Sequence, residues 1–177
     1  VGGSNFLSRV AGELGTYLGV TGNMVNAADA LYTGLADWLV AAEQVAELDR
    51  CLDQMDWQRS AQQSIRSLLE TLSSPAPGNG QLQQVRDAID RHFAFDRVTD
   101  IVRSLESEQD PALTEWVQTT LGTLQSRSPM AMATTLTLLR HGRDLSLKQC
   151  FAMELVLVAQ WFVQGDFIEG VRALIVD

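Results

Sequence analysis

Lysine is almost absent from this chain, and cysteine, histidine and proline are scarce. The 13 basic residues, set against 22 acidic ones, include a single lysine, Lys148, and are scattered, leaving a formal net charge of −9. Phosphate neutralisation needs grouped Lys and Arg, so a nucleic-acid partner is not expected. Cys51 and Cys150 are the only cysteines, far apart and in no metal-ligand spacing. They predict two reduced thiols, core or near-surface, and a cytoplasmic location. No apolar run reaches the ~18 residues of a membrane span, and residues 1–10 lack the layout of a signal peptide, so no membrane partner is expected. There is no initiator methionine either; Val1-Gly2-Gly3 starts abruptly, as a fragment would.

What is present is enough for a packed core. With 177 residues, 46% of them hydrophobic and 20% charged, the chain has the composition of a globular domain. Apolar residues recur at helical spacing over 4–20, interrupted by Gly12 and Gly15, which predicts two short consecutive helices. Asn26 suits the N-cap of a helix over 27–33, and Gly34 suits its C-terminal stop. Asp37-Trp38-Leu39-Val40 is the best strand candidate. Beyond it the pattern is helical over 42–55, 57–72, 81–93 and 96–107, with four more helices to follow.

Asp110-Pro111 and Ser128-Pro129 each pair a capping side chain with a proline at the first helical position. Ser146 with Gln149, and Asp166 with Glu169, have capping-box spacing. Residues 73–80 carry the Pro/Gly chemistry of a flexible loop. The stretch 151–163 is apolar almost all round and is expected to be the most buried element.

Catalytic patterns are missing. There is no G-x-S-x-G elbow, and His92 and His141 lie in polar helix-end contexts, reading as surface or capping residues rather than bases. No H-E-x-x-H or C-x-x-C spacing occurs, so no metal is expected. Gly2-Gly3-Ser4 before a helix reads either as backbone amides offered to an anion or as glycines permitting a tight turn. Trp38, Trp57, Trp116, Trp161, Met130, Met132 and Met153 fall in helical patterns and read as core residues.

Two stretches resemble the crotonase superfamily. One is Val1-Gly2-Gly3-Ser4-Asn5-Phe6-Leu7, then Leu18-Gly19-Val20-Thr21-Gly22, Ala27-Ala28-Asp29-Ala30 and Gly34-Leu35-Ala36-Asp37, similar to the run G-G-x-x-x-L, L-T-G, A-x-D-A, G-L-A/V. The other takes in Ser128-Pro129, Leu145-Ser146-Leu147 and Met153-Glu154, and ends in 165–174. It resembles the D-F-x-E-G-V-R-A run of the 3-hydroxyisobutyryl-CoA hydrolase branch. The long helical stretch 41–127 between them is the feature that favours this branch over simple hydratases.

The resemblance implies a mainly α chain, the C-terminal helical region of a crotonase-like fold, with at most one or two short strands near 37–40. Residues 1–40 would end the β-spiral core and 41–177 would form a helical domain. The implied activity is acyl-CoA thioester hydrolysis in valine breakdown, with enoyl-CoA hydration or isomerisation of another acyl-CoA as the alternative. A non-catalytic helical packing or oligomerisation module is a further reading.

In the family the acid/base carboxylates lie in P-E-x-x-I-G-x-x-P-D-V-G-G, and this chain begins at the V of that run. The resemblance therefore carries over no catalytic residue and implies that the chain alone is inactive. What it does carry over is a substrate-pocket edge at Gly2 and Gly3, with Phe167 and Val171 flanking the CoA tail. No cofactor is implied, coenzyme A entering as part of the substrate. The acyl-CoA would bind through an N-terminal core, and a homo-oligomer is compatible with the pattern.

Overall fold

Glycines and short polar caps decide where this chain turns. The computed structural model describes residues 2–57, 60–75, 78, 80–164 and 166–175. Helix α1 (Gly3–Phe6) runs into a 3₁₀ turn, Leu7–Arg9, and α2 (Leu14–Thr21) follows, the two consecutive helices that the glycine interruptions predict. Gly22 stops α2 with φ 64°. The Asn26 side chain accepts from the Asp29 N–H at 2.8 Å to start α3 (Ala27–Thr33), which ends at Gly34.

The strand candidate at 37–40 comes down to one antiparallel bridge between Val40 and Ser73, beside a 2.7 Å bond from the Ser74 N–H to the Leu39 carbonyl. A single partner segment is too little to sustain a ladder. No strand forms among the described residues, and the mainly α class stands.

The helical stretch then resolves into α4 (Val45–Asp53), α5 (Ala61–Leu72), α6 (Gln81–Gln84), α7 (Arg86–His92), α8 (Val98–Glu106) and α9 (Thr114–Gln125). Of the expected loop at 73–80, positions 76, 77 and 79 lie outside the described residues. Asp110 accepts from the Ala112 N–H at 2.9 Å to cap a 3₁₀ turn, Pro111–Leu113, which leads into α9. Ser128 accepts from the Ala131 N–H at 3.2 Å to cap α10 (Pro129–Gly142).

The Ser146–Gln149 box opens α11 (Leu147–Gln164), the Gln149 side chain accepting from the Ser146 N–H at 2.9 Å. The Asp166–Glu169 pair lies partly outside the described residues. Asp166 is itself the first residue of α12 (Asp166–Ile175), its side chain lies outside the described residues, and both Glu169 oxygens accept from Arg172.

Two compact units divide the chain: Val1–Asn23 with Asp87–Asp177, and Met24–Arg86. The smaller buries few apolar side chains, Ala28, Leu72 and Leu82 among them. Its organising group is Asp29, 4% exposed, whose carboxylate accepts the Leu82 N–H at 2.9 Å. The larger unit has the dense core, with Leu14, Ile89, Phe93, Ile101, Leu105, Leu136 and Leu139 almost fully buried. Tyr17 packs edge-on against Phe93 at 5.1 Å and leans toward Trp116 at 6.1 Å.

Of the Trp and Met residues read as core, Met132 is buried, but Trp57 is 52% and Met130 50% exposed. Helical spacing marks which residues share a face and not which face is covered. The same limit explains α11. The stretch 151–163 is not the most buried element: Leu155 is 71%, Val156 65% and Val163 83% exposed. An apolar face is buried only where something packs on it, and among the described residues of this helix only Cys150 is fully inside. Both cysteines are free.

Close backbone approach joins α1, α2 and α10. A Cβ built on Gly142 would lie 2.0 Å from the Ser4 carbonyl oxygen, and one on Gly15 would lie 1.8 Å from the Leu7 carbonyl oxygen. Gly15→Ala is therefore expected to destabilise the protein by about 3 kcal/mol or more, because backbone must move. Gly122, in α9 with open space around it, behaves oppositely: Gly122→Ala is expected to stabilise by about 0.5–1 kcal/mol. Denaturant midpoints of the two variants against wild type check the pair, and equal shifts would contradict the packing described.

Candidate functional site

The N-terminal turn is fixed by a carboxylate from the other end of the chain. Gly2 sits at φ 85°, a conformation open to glycine. Its carbonyl accepts from the Asn5 N–H at 2.9 Å, closing the turn into α1. The amides that start a helix have no partner within it and attract an anion. Here that anion is Glu154 on α11. Its Oε2 accepts from the Gly2 N–H at 2.5 Å, and its Oε1 accepts from the Ser4 N–H at 2.9 Å and the Ser4 hydroxyl at 2.6 Å. Both readings of Gly2-Gly3-Ser4 hold together: the glycines make the tight turn, and the Gly2 and Ser4 amides meet an anion supplied by the protein.

Beside this clamp is a cavity of about 600 Å³ with mainly apolar walls. Ser4, Thr135 and Glu154 are its polar lining, with the Gly3 backbone beside them, and Leu139, Phe151 and Trp161 are among its apolar walls. Burial pushes the Glu154 carboxyl up, but the Ser4 hydroxyl and the Gly2 and Ser4 amides outweigh it and hold the group below the usual carboxylate range. A group kept ionised with both oxygens engaged serves to hold structure rather than to exchange protons.

Of the residues expected at a pocket edge, Gly3 lines the cavity and Gly2 stands over the Phe151 ring, where an added Cβ would lie 3.1 Å from Cε1. Val171 is 40% exposed on α12 and does not line this cavity. The Phe167 side chain lies outside the described residues. Glu154 was not anticipated. Its signal was in the sequence: it is the only charged residue between Lys148 and Asp166, so a lone charge in an apolar helix called for a partner.

His92 requires a correction. It is 3% exposed rather than a surface residue, with Nδ1 2.7 Å from the Ser104 hydroxyl and Nε2 2.8 Å from Glu108. Its partners lie 12 and 16 residues away, on or beyond α8, which is why local polarity misread it. The Asp110 amide, then Arg91 and His92, hold Glu108 down to about 2. His141 is exposed, as expected. A second ionic knot joins Glu13 to Arg140 at 2.7 Å and Arg143 at 2.9 Å, while Arg140 also donates to the Phe93 and Phe95 carbonyls. Among the described residues no three His, Cys, Asp or Glu side chains group as metal ligands, and no helix is long and apolar enough to cross a membrane.

The family model described as enoyl-CoA hydratase/isomerase matches residues 1–177. The chain is 32% identical to "3-hydroxyisobutyryl-CoA hydrolase-like protein 1, mitochondrial" of Arabidopsis thaliana, over 99% of this chain and 44% of that protein. It is 29% identical to "Small ribosomal subunit protein mS47" of Neurospora crassa, over 100% of this chain and 37% of that protein. A crystal structure titled carnitinyl-CoA dehydratase from Mycobacterium thermoresistibile superposes with TM-score 0.82 at 28% identity, covering 99% of this chain and 48% of that one. The chain thus spans less than half the length of each. The dehydratase shares the helical stretch 41–127 as well, so that stretch alone does not separate hydrolases from hydratases.

The clamp gives a pH dependence with a definite sign. Glu154 titrates lower in the folded protein than its ordinary 4.5, so its contribution is present above that value and is lost as pH falls through the lowered one. Glu154→Gln, which turns an amide group toward these donors, is expected to lose about 1 kcal/mol at neutral pH, the loss shrinking on acidification. Thermal unfolding of both proteins from neutral pH into the acid range checks this, and parallel curves would contradict it.

Proposed function

The chain belongs to the enoyl-CoA hydratase/isomerase family, and from that premise we propose that it is the C-terminal part of a 3-hydroxyisobutyryl-CoA hydrolase acting in valine catabolism. The observation that carries this reading is the 32% identity to a protein of that name over 99% of the chain, helical middle included. Gly2 and Gly3 form one edge of the acyl-CoA site, with Phe167 and Val171 nearer the CoA tail. Coenzyme A comes with the substrate, and no separate cofactor takes part.

The chemistry follows from the thioester. Backbone amides polarise its carbonyl and stabilise the oxyanion, and a carboxylate activates water. Among the described residues the groups nearest to such roles are committed elsewhere: Glu154 holds the Gly2–Ser4 turn, His92 is bonded to Ser104 and Glu108, and His141 is exposed. The chain by itself is inactive, and the carboxylates belong to the rest of the protein. The free thiols fit a reducing compartment, cytoplasmic or, as for the Arabidopsis thaliana relative, mitochondrial.

A second reading has its own support. Proteins called small ribosomal subunit protein mS47 match 99–100% of the chain at 29–31% identity, and α11 presents an exposed apolar face suited to packing. On this reading the helices serve assembly rather than turnover.

The whole protein is expected to release free thiol from 3-hydroxyisobutyryl-CoA, and residues 1–177 alone to release none above background. Hydration of an enoyl-CoA without thiol release would replace the hydrolase by the hydratase. Absence of both, with the protein recovered in a large assembly, would favour the packing role. Turnover by the isolated chain would overturn its assigned inactivity.

A further inference from the structure

A carboxylate placed alone in an apolar helix forfeits hydration and needs a compensating partner. Glu154 finds three donors, all within Gly2–Ser4. The span it holds needs holding. Gly2-Gly3 has little intrinsic preference for one backbone geometry, and Gly2 is kept at φ 85° with its carbonyl turned to the Asn5 and Phe6 amides at 2.9 and 3.2 Å. Ser4 is 4% exposed and lies against Gly142, so the far side of the turn is walled in by α10. Glu154 closes the near side, where the turn meets the cavity.

We propose that Glu154 is a positioning residue for the acyl-CoA site, its carboxylate fixing the Gly2–Ser4 turn and with it the backbone edge of the 600 Å³ cavity. The inference rests on the reading of Gly2 and Gly3 as an edge of that site. Glu154 acts through the turn and not on the reacting atoms, because its oxygens are taken by the Gly2 and Ser4 donors. A displacement of the edge by about 1 Å is enough to misplace a bound thioester, and misplacements of that size cost on the order of a hundredfold in rate.

Steady-state kinetics of the whole protein on 3-hydroxyisobutyryl-CoA tests this, with kcat expressed per folded molecule. Glu154→Gln is expected to lower kcat by roughly ten- to a hundredfold with little change in KM. Glu154→Asp, which keeps the charge but withdraws it by one methylene, is expected to lose less and decides the matter should the Gln variant not fold. Glu13→Gln breaks the remote knot with Arg140 and Arg143; it is expected to lose stability while keeping kcat per folded molecule.

A wild-type kcat in either folded Glu154 variant, or losses that follow the folded fraction alone as in Glu13→Gln, would overturn the inference while leaving the hydrolase reading intact. A wild-type protein that neither binds nor turns over any acyl-CoA would bring down that reading and this inference with it.

Discussion

The approach of backbone to backbone around α10 is the constraint on which the larger unit depends. Gly142 under Ser4 and Gly15 against Leu7 leave no room for a Cβ, and a Cβ on Gly19 would lie 2.7 Å from the Leu139 side chain. This lets α1, its 3₁₀ extension and α2 lie on α10 at distances that ordinary side chains forbid, and the N-terminal turn is carried to where α11 can reach it. The polar contacts follow from this packing. Arg9 donates to the Gly142 and Leu145 carbonyls, at 3.3 and 2.7 Å, only because its helix is already seated there. The Glu154 clamp is the last of these contacts and the one that faces the cavity.

What was legible in the sequence was local. Asn26, Asp110, Ser128 and the Ser146–Gln149 pair each satisfy amides within three residues of themselves, so their chemistry is written beside the groups it serves. The glycine stops at 22 and 34 are legible for the same reason. The motifs at the two ends pointed to the family, and the match over the whole chain agrees with them.

What was not legible depends on residues far along the chain. His92 is buried because Ser104 and Glu108 close over it, and nothing adjacent to it announces that. The apolar composition of α11 records an affinity for apolar surroundings, whereas burial also requires a neighbour; Leu155 and Val163 have the first without the second. Glu154 belongs to both cases. Its isolation in an apolar helix was visible, but its partners at Gly2 and Ser4 could only be found once the fold had brought the two ends together.

That meeting has an order in time. Gly2 and Glu154 are separated by 152 positions, and Arg9 and Leu145 by 136. The entropy of closing so long a loop must be met before its contacts can reward it. A growing chain therefore makes its glycine turn before α2 and keeps it unfastened through the synthesis of every helix from α2 to α10. The turn acquires its shape only when the middle of α11 has been made, so a segment synthesised ahead of α2 is fastened after every helix that separates it from α11.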